Sequence, residues 1–153
     1  EDFDAYVAAI NAAGWRAAVH AVGDAGVDQV LDGFERANAE QSIVGKRWTI
    51  EHAFITRPDQ YPRIRDLDLW ISAQDHLYLA APVLKRYWGE ERASQVTPMR
   101  TYLDEGFKVA GGTDSPVIPT NPFWEMYHFL SRDTISDGIY GPDQAVNKPK
   151  EKT

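Results

Sequence analysis

Four short runs of β-branched, aromatic and small apolar residues recur along the chain, with helix-like stretches between them. That alternation restricts the fold more than any other feature. The runs are WRAAVHAV (15–22), RWTIEHAF (47–54), LWISAQ (69–74) and FKVAGG (107–112), each of strand length. Residues 2–13 precede the first run and place Phe3, Tyr6, Val7 and Ile10 three and four apart, a helical face closed by Gly14. After the first run, Asp24 stands as an N-cap ahead of Val27, Val30, Leu31, Phe34 and Ala37, again at helical period. Pro58 and Asp59 begin a short helix that reaches about Asp66. Residues 80–93 and 98–105 read as two more helices, the second with Thr97 as N-cap and Pro98 in its first position. Asn121-Pro122 opens a last helix through about Ser131, and from Arg132 onward the chain turns polar, ending in NKPKEKT. Strands separated by helices predict a parallel sheet with right-handed crossovers.

Length and charge then narrow the choices. The chain has 153 residues, whereas a complete eight-stranded βα barrel needs at least about 200. Sixteen Lys and Arg against 23 Asp and Glu give a net charge of −7. An acidic surface with scattered basic residues repels phosphate backbones, so nucleic acid is not an expected partner. No uninterrupted apolar run approaches the ~18 residues of a membrane span, so no membrane partner is expected either. There is no cysteine, which excludes disulfides and thiolate metal sites and leaves His, Asp and Glu as the strong metal ligands. The chain opens on Glu1 and not on Met, so a processed or truncated end is expected.

In parallel α/β folds the active site gathers at the carboxyl ends of the strands. Here the first strand ends in His20, the second in Glu51-His52, the third in Gln74-Asp75-His76 and the fourth leads into Thr113-Asp114-Ser115. Three of the four histidines and a carboxylate therefore fall on one rim. Imidazoles and an aspartate from separate strands suit a divalent ion. Each residue also has a plainer reading. A strand-end histidine can be a hydrogen-bonded structural residue, Asp24 an N-cap, Asp114 an Asx-turn residue and Glu51 a salt-bridge partner for an arginine. His128 lies mid-helix among apolar residues and reads as core or surface, and the tryptophans read as packing residues. The Gly111-Gly112 pair extends neither to GxGxxG nor to a P-loop, and GxSxG, HxH and HExxH are all missing from the sequence. Any metal site must be assembled by the fold.

The segments HAVGDAGVDQVLDGFE, RWTIEHA, ISAQDHLYLA, RYWGEERA and GFKVAGGTDSPV, in this order, resemble the second half of the amidohydrolase superfamily barrel. The likeness is to the amidohydrolase 3 branch, which includes N-substituted formamide deformylases and many metal-dependent hydrolases, and it covers about residues 5–132. It implies an α/β fold that is a partial (half) TIM-like (β/α) barrel, with about four parallel strands alternating with helices. Residues 1–132 would form the C-terminal half-barrel and 133–153 a poorly ordered polar tail. It further implies His20, His52 and Asp114 as metal ligands, Asp114 and His52 as catalytic residues, and His76 and Gln74 as groups facing the substrate. The cofactor would be a divalent metal, Zn²⁺ first, with Fe²⁺ and Mn²⁺ accepted by the same donors.

Two departures stand out. The family often has proline where Asp75 stands, and its strand-one HxH and strand-four Lys or Glu belong to a half-barrel that would precede Glu1. A four-stranded half-barrel also exposes two strand edges and half of an inner side-chain layer. A homo-oligomer, or pairing with a missing half-barrel, is therefore expected. The functional expectation is a metal-dependent hydrolase, or its C-terminal half, cleaving a non-peptide C–N bond of a small amide-like molecule. The alternative is a truncated, non-catalytic half-barrel.

Overall fold

The computed structural model describes residues 2–74, 76–134 and 137–146. Asp75 and residues 147–153, on which the third strand's rim and the end of the tail were expected, lie outside the described residues. The chain divides into two compact units, Glu1–Ser72 with Glu105–Ala110, and Ala73–Asp104 with Gly111–Thr153. Four parallel strands alternate with helices, β1 (Ala18–Ala21), β2 (Thr49–His52), β3 (Trp70–Gln74) and β4 (Lys108–Gly112), in the sheet order β1-β2-β3-β4. This is the architecture of a partial (β/α) barrel.

In the first unit, helix α1 (Asp2–Ala12) leads into β1 and helix α2 (Asp24–Glu40) joins β1 to β2. All five apolar residues that set the period of α2, namely Val27, Val30, Leu31, Phe34 and Ala37, are buried. Phe34 meets Trp48 edge-on with ring centroids 4.8 Å apart, and Ile50 and Ile71, partners in register across β2 and β3, are fully buried. The face of α1 differs from its expected one. It buries Val7 and Asn11 and leaves Tyr6 exposed. Asn11 can lie inward because its Nδ2 donates to the carbonyls of Ala37 and Gln41 at the end of α2, at 2.9 and 2.6 Å. Trp15, expected to pack, is 72% exposed.

The start of α2 also differs. Its N-cap is Gly23, and Asp24 is the first helical residue. The Asp24 carboxylate lies 3.5 Å from Arg57. Arg57 also pairs with Asp28 at 2.7 Å and with Asp59 at 3.1 Å. Arg57 precedes a 3-10 turn (Pro58–Gln60) that runs into helix α3 (Tyr61–Asp66). Arg63 of α3 holds Glu35 at 2.7 Å and Asp32 at 2.6 Å, and buried Gln60 donates to Asp28 at 2.7 Å. The acidic flank of α2 is thus tied to the segment after β2 by two arginines and one amide. The hydrogen bond from Gln60, followed by that from Arg57, holds the Asp28 carboxyl below its ordinary range.

In the second unit, α4 (Leu77–Trp88) and α5 (Glu90–Ser94) replace the single helix expected over 80–93. Gly89, at φ +79° and ψ 164°, breaks them apart in a region of backbone space open essentially to glycine alone. Helix α6 (Met99–Asp104) follows. Thr97 does not act as an N-cap toward it. Its hydroxyl donates to the Gln74 carbonyl at 3.2 Å. Helix α7 (Pro122–Ser131) opens as expected, with the Asn121 side chain accepting from the Phe123 amide at 3.0 Å.

Residues 133–134 and 137–146, expected as part of a loose polar tail, carry regular structure. β5 (Asp133–Thr134) pairs antiparallel with β6 (Gly138–Ile139), and a 3-10 turn follows at Pro142–Gln144. Arg132, fully buried at φ +59°, explains this order. Its guanidinium donates to the carbonyls of Tyr140, Thr97, Ser94 and Val96 at 2.9–3.1 Å. A residue that reads as the first of a polar tail is the point to which that segment is fastened.

Candidate metal centre

In the first unit, His20 sits at the exposed side of the β1 terminus and His52 ends β2. Cross-strand partners of a parallel pair share a face, and the register pairs His20 with Glu51, not with His52. Period-two alternation would carry His52 onto the buried face of Ile50. His52 is indeed buried, and the backbone turns sharply at this point. His52 lies at φ +74° and Ala53 at +45°, a left-handed conformation that costs a non-glycine residue ~1–2 kcal/mol. With this bend the two imidazole rings meet edge-on, centroids 4.5 Å apart. Hydrogen bonds from the Ala53 amide to Ala21 and from the Ile55 amide to Val22 continue the β1–β2 pairing past the bend and hold it.

In the second unit, Gln74 ends β3 and is buried, and His76 is buried just beyond it. Asp114 stands in the turn after β4, at φ +52°. Its Oδ2 lies 3.3 Å from Nε2 of His76, and its carbonyl accepts the Val117 amide at 2.9 Å. His76, expected to face substrate, is thus seated against the aspartate. Each unit therefore presents one close pair: two imidazoles in the first, an imidazole and a carboxylate in the second. Nitrogen and carboxylate oxygen donors of this kind fit a divalent ion of the zinc, iron or manganese type.

Other expected positions fall elsewhere. Glu51 is half-buried and, with Arg16, Arg47, Thr49, Trp70 and Ser72, lines a cavity of about 300 Å³ in the first unit. His128 is buried, with Nδ1 2.7 Å from the Asp133 carbonyl, a structural placement. The sequence reading passed over Glu125, which is buried on α7. A carboxylate three residues ahead of a buried histidine on one helix was the available signal.

The amidohydrolase family model matches residues 1–148. The chain belongs to this family. It is 30% identical over 131 residues to an N-substituted formamide deformylase of Arthrobacter pascens, covering 84% of this chain and 24% of that protein. It is 32% identical over 134 residues to the protein LONG AFTER FAR-RED 3 of Arabidopsis thaliana, covering 86% and 23%. Among solved structures, an uncharacterized metal-dependent hydrolase of Pyrococcus furiosus matches with TM-score 0.72 and 32% identity, over 94% of this chain and 29% of that one. This member of the amidohydrolase family spans about a quarter of the length of the curated relatives it matches.

Proposed function

We propose that this amidohydrolase chain supplies part of the metal centre of a hydrolase that cleaves non-peptide C–N bonds in small amide-like molecules. His20, His52 and Asp114 would be the ligands. The observation that carries the proposal is the contact of His20 and His52 at the ends of adjacent parallel strands, bought with left-handed backbone at His52. The likeness to metal-dependent hydrolases supports it, and so does the likeness to a formamide deformylase. A divalent ion held there would lower the pKa of a water and polarise a carbonyl. Asp114 takes the proton of the attacking water and delivers it to the departing nitrogen. His76, 3.3 Å from the Asp114 carboxylate, orients that base, and Gln74 faces the substrate. Zn²⁺ is the first choice of ion, with Fe²⁺ or Mn²⁺ next.

A second reading is a half-barrel that is inactive until another copy or another half-barrel joins it. The exposure of the outer strands favours it: Ala18 and His20 of β1, and Lys108, Ala110 and Gly111 of β4, are exposed. Metal analysis of the purified chain with zinc titration by calorimetry, run beside sedimentation velocity, tests both. Stoichiometric metal that is lost in His52→Ala and in Asp114→Asn supports the hydrolase centre. Absence of metal binding from a folded chain at every association state sinks it. A monomer at micromolar concentration sinks the association.

A further inference from the structure

The cavity of about 300 Å³ in the first unit lies against one face of the sheet. Its volume falls at the lower end of the roughly 300–1,000 Å³ range of small-ligand sites. Ala18, Thr49 and Trp70 are partners in register and form one row of its wall across β1, β2 and β3. Glu51 and Ser72, also partners in register, form the next row. Arg16 stands two residues before Ala18, and Arg47 two before Thr49. A pair of guanidiniums therefore lines the cavity where the two strands begin. His20 and His52 belong to the far ends of the same strands.

The other described arginines are engaged within the chain. Arg36, Arg57, Arg63, Arg65 and Arg100 each hold a carboxylate. Arg132 holds four carbonyls, and Arg86 and Arg92 lie over the rings of Tyr87 and Trp88. Arg16 and Arg47 are exposed, and neither makes an ion pair, a ring contact or a side-chain hydrogen bond among the described residues. That is unusual in a chain with 23 acidic residues against 16 basic ones. Glu51 lines the same cavity and pairs with neither of them. A guanidinium stays charged throughout the pH range of folded proteins, so two on neighbouring strands repel each other. An anion between them removes that repulsion and accepts charge-assisted, forked hydrogen bonds.

The wall beside the arginines sets the rest of the guest. The Trp70 indole gives a broad flat surface, and the short side chains of Ala18 and Ala110 leave room against it. The net charge of −7 penalises a second negative charge on the guest, which favours a carboxylate over a phosphate monoester. We propose that this cavity binds a small carboxylate with a flat apolar body, its oxygens held by Arg16 and Arg47 and its body laid against Trp70. The site goes beyond the hydrolase reading and does not depend on it.

Benzoate is the probe, with benzamide as its neutral counterpart and phenyl phosphate as the doubly charged one. Each is titrated into the full-length, metal-free chain and followed through the amide resonances of Ala18, Thr49 and Trp70 and the Trp70 indole. Benzoate should saturate these signals and bind about tenfold more tightly than benzamide. Arg16→Gln and Arg47→Gln should each bring benzoate down toward the level of benzamide. Arg36→Gln, which removes a surface cation engaged with Asp4, should leave the preference intact. Equal binding of benzoate and benzamide to the wild-type chain, or shifts that avoid these residues, overturns the proposal even if a variant fails to fold. An equal loss in Arg36→Gln overturns it too, because the preference would then report only overall charge. Tighter binding of phenyl phosphate than of benzoate overturns the carboxylate class.

Discussion

Replacement of Gly141 by alanine offers a direct test of how the 132–146 segment is held. Gly141 has φ +55°, and an ideal Cβ there would stand 2.0 Å from the carbonyl oxygen of Ser94 and 2.9 Å from its carbon. Two costs follow. Alanine in the left-handed region loses ~1–2 kcal/mol. The overlap involves backbone, so it is relieved only by moving the chain about 1 Å, an overpacking cost of ~1–3 kcal/mol. The same Ser94 oxygen accepts from Arg132 at 3.1 Å, so the displacement loosens the buried guanidinium as well. Together these give a loss of about 2–5 kcal/mol, a large share of the ~5–15 kcal/mol that holds a typical domain. At ~2–4 °C per kcal/mol for a chain of this size, the melting temperature should fall by roughly 10 °C. Gly138→Ala is the control. Its φ is +71°, and nothing lies within 4 Å of the added carbon, so it should lose only the ~1–2 kcal/mol of the backbone term. Urea unfolding monitored by near-ultraviolet circular dichroism, with melting curves alongside, measures both. If Gly141→Ala is no more damaging than Gly138→Ala, the packing argument for this segment is refuted.

Arg132→Met should destabilise the chain by ~3–5 kcal/mol, since carbonyls gathered around a cation are left facing a thioether. Arg132→Lys should recover less than half of that loss, because an ammonium lacks the planar fork that serves separate acceptors. Urea midpoints check both, and a loss below about 1 kcal/mol in the methionine variant would count against the role given to Arg132. The lowered pKa of Asp28 sets a pH dependence. Its stabilisation is complete above the ordinary value of 3.8 and is lost as pH falls through the lower, folded-state value. Urea midpoints should therefore drop on acidification below about pH 4, and Asp28→Asn should be less stable at neutral pH with a shallower acid slope. An unchanged slope in that variant would remove Asp28 from the account.

The parts of this protein that its sequence determines alone are those governed by local periodicity. The spacing of Val27, Val30, Leu31, Phe34 and Ala37 marked the buried face of α2, and all five are buried. The four apolar runs marked β1 to β4, and Asn121-Pro122 marked the start of α7. The residues ending each strand were legible for the same reason, since a parallel sheet puts its strand ends on one edge.

What tertiary structure decided is everything that depends on partners distant in sequence or on backbone that breaks the local rule. Tyr6 fits the period of α1 but is exposed, while Asn11 is buried because the end of α2 supplies its acceptors. Asp24 has the chemistry of an N-cap but stands one residue inside the helix, beside Arg57. Arg132 reads as the start of a polar tail, yet four carbonyls brought in by the fold make it a buried anchor. His52 is buried beside Ile50 as alternation places it, yet its ring meets that of His20 at a strand end where the backbone takes a positive φ. Periodicity assigns a residue to a face. Only long-range packing can hold a strained torsion or satisfy a buried charge, because the energy for both comes from contacts that no local stretch of sequence contains.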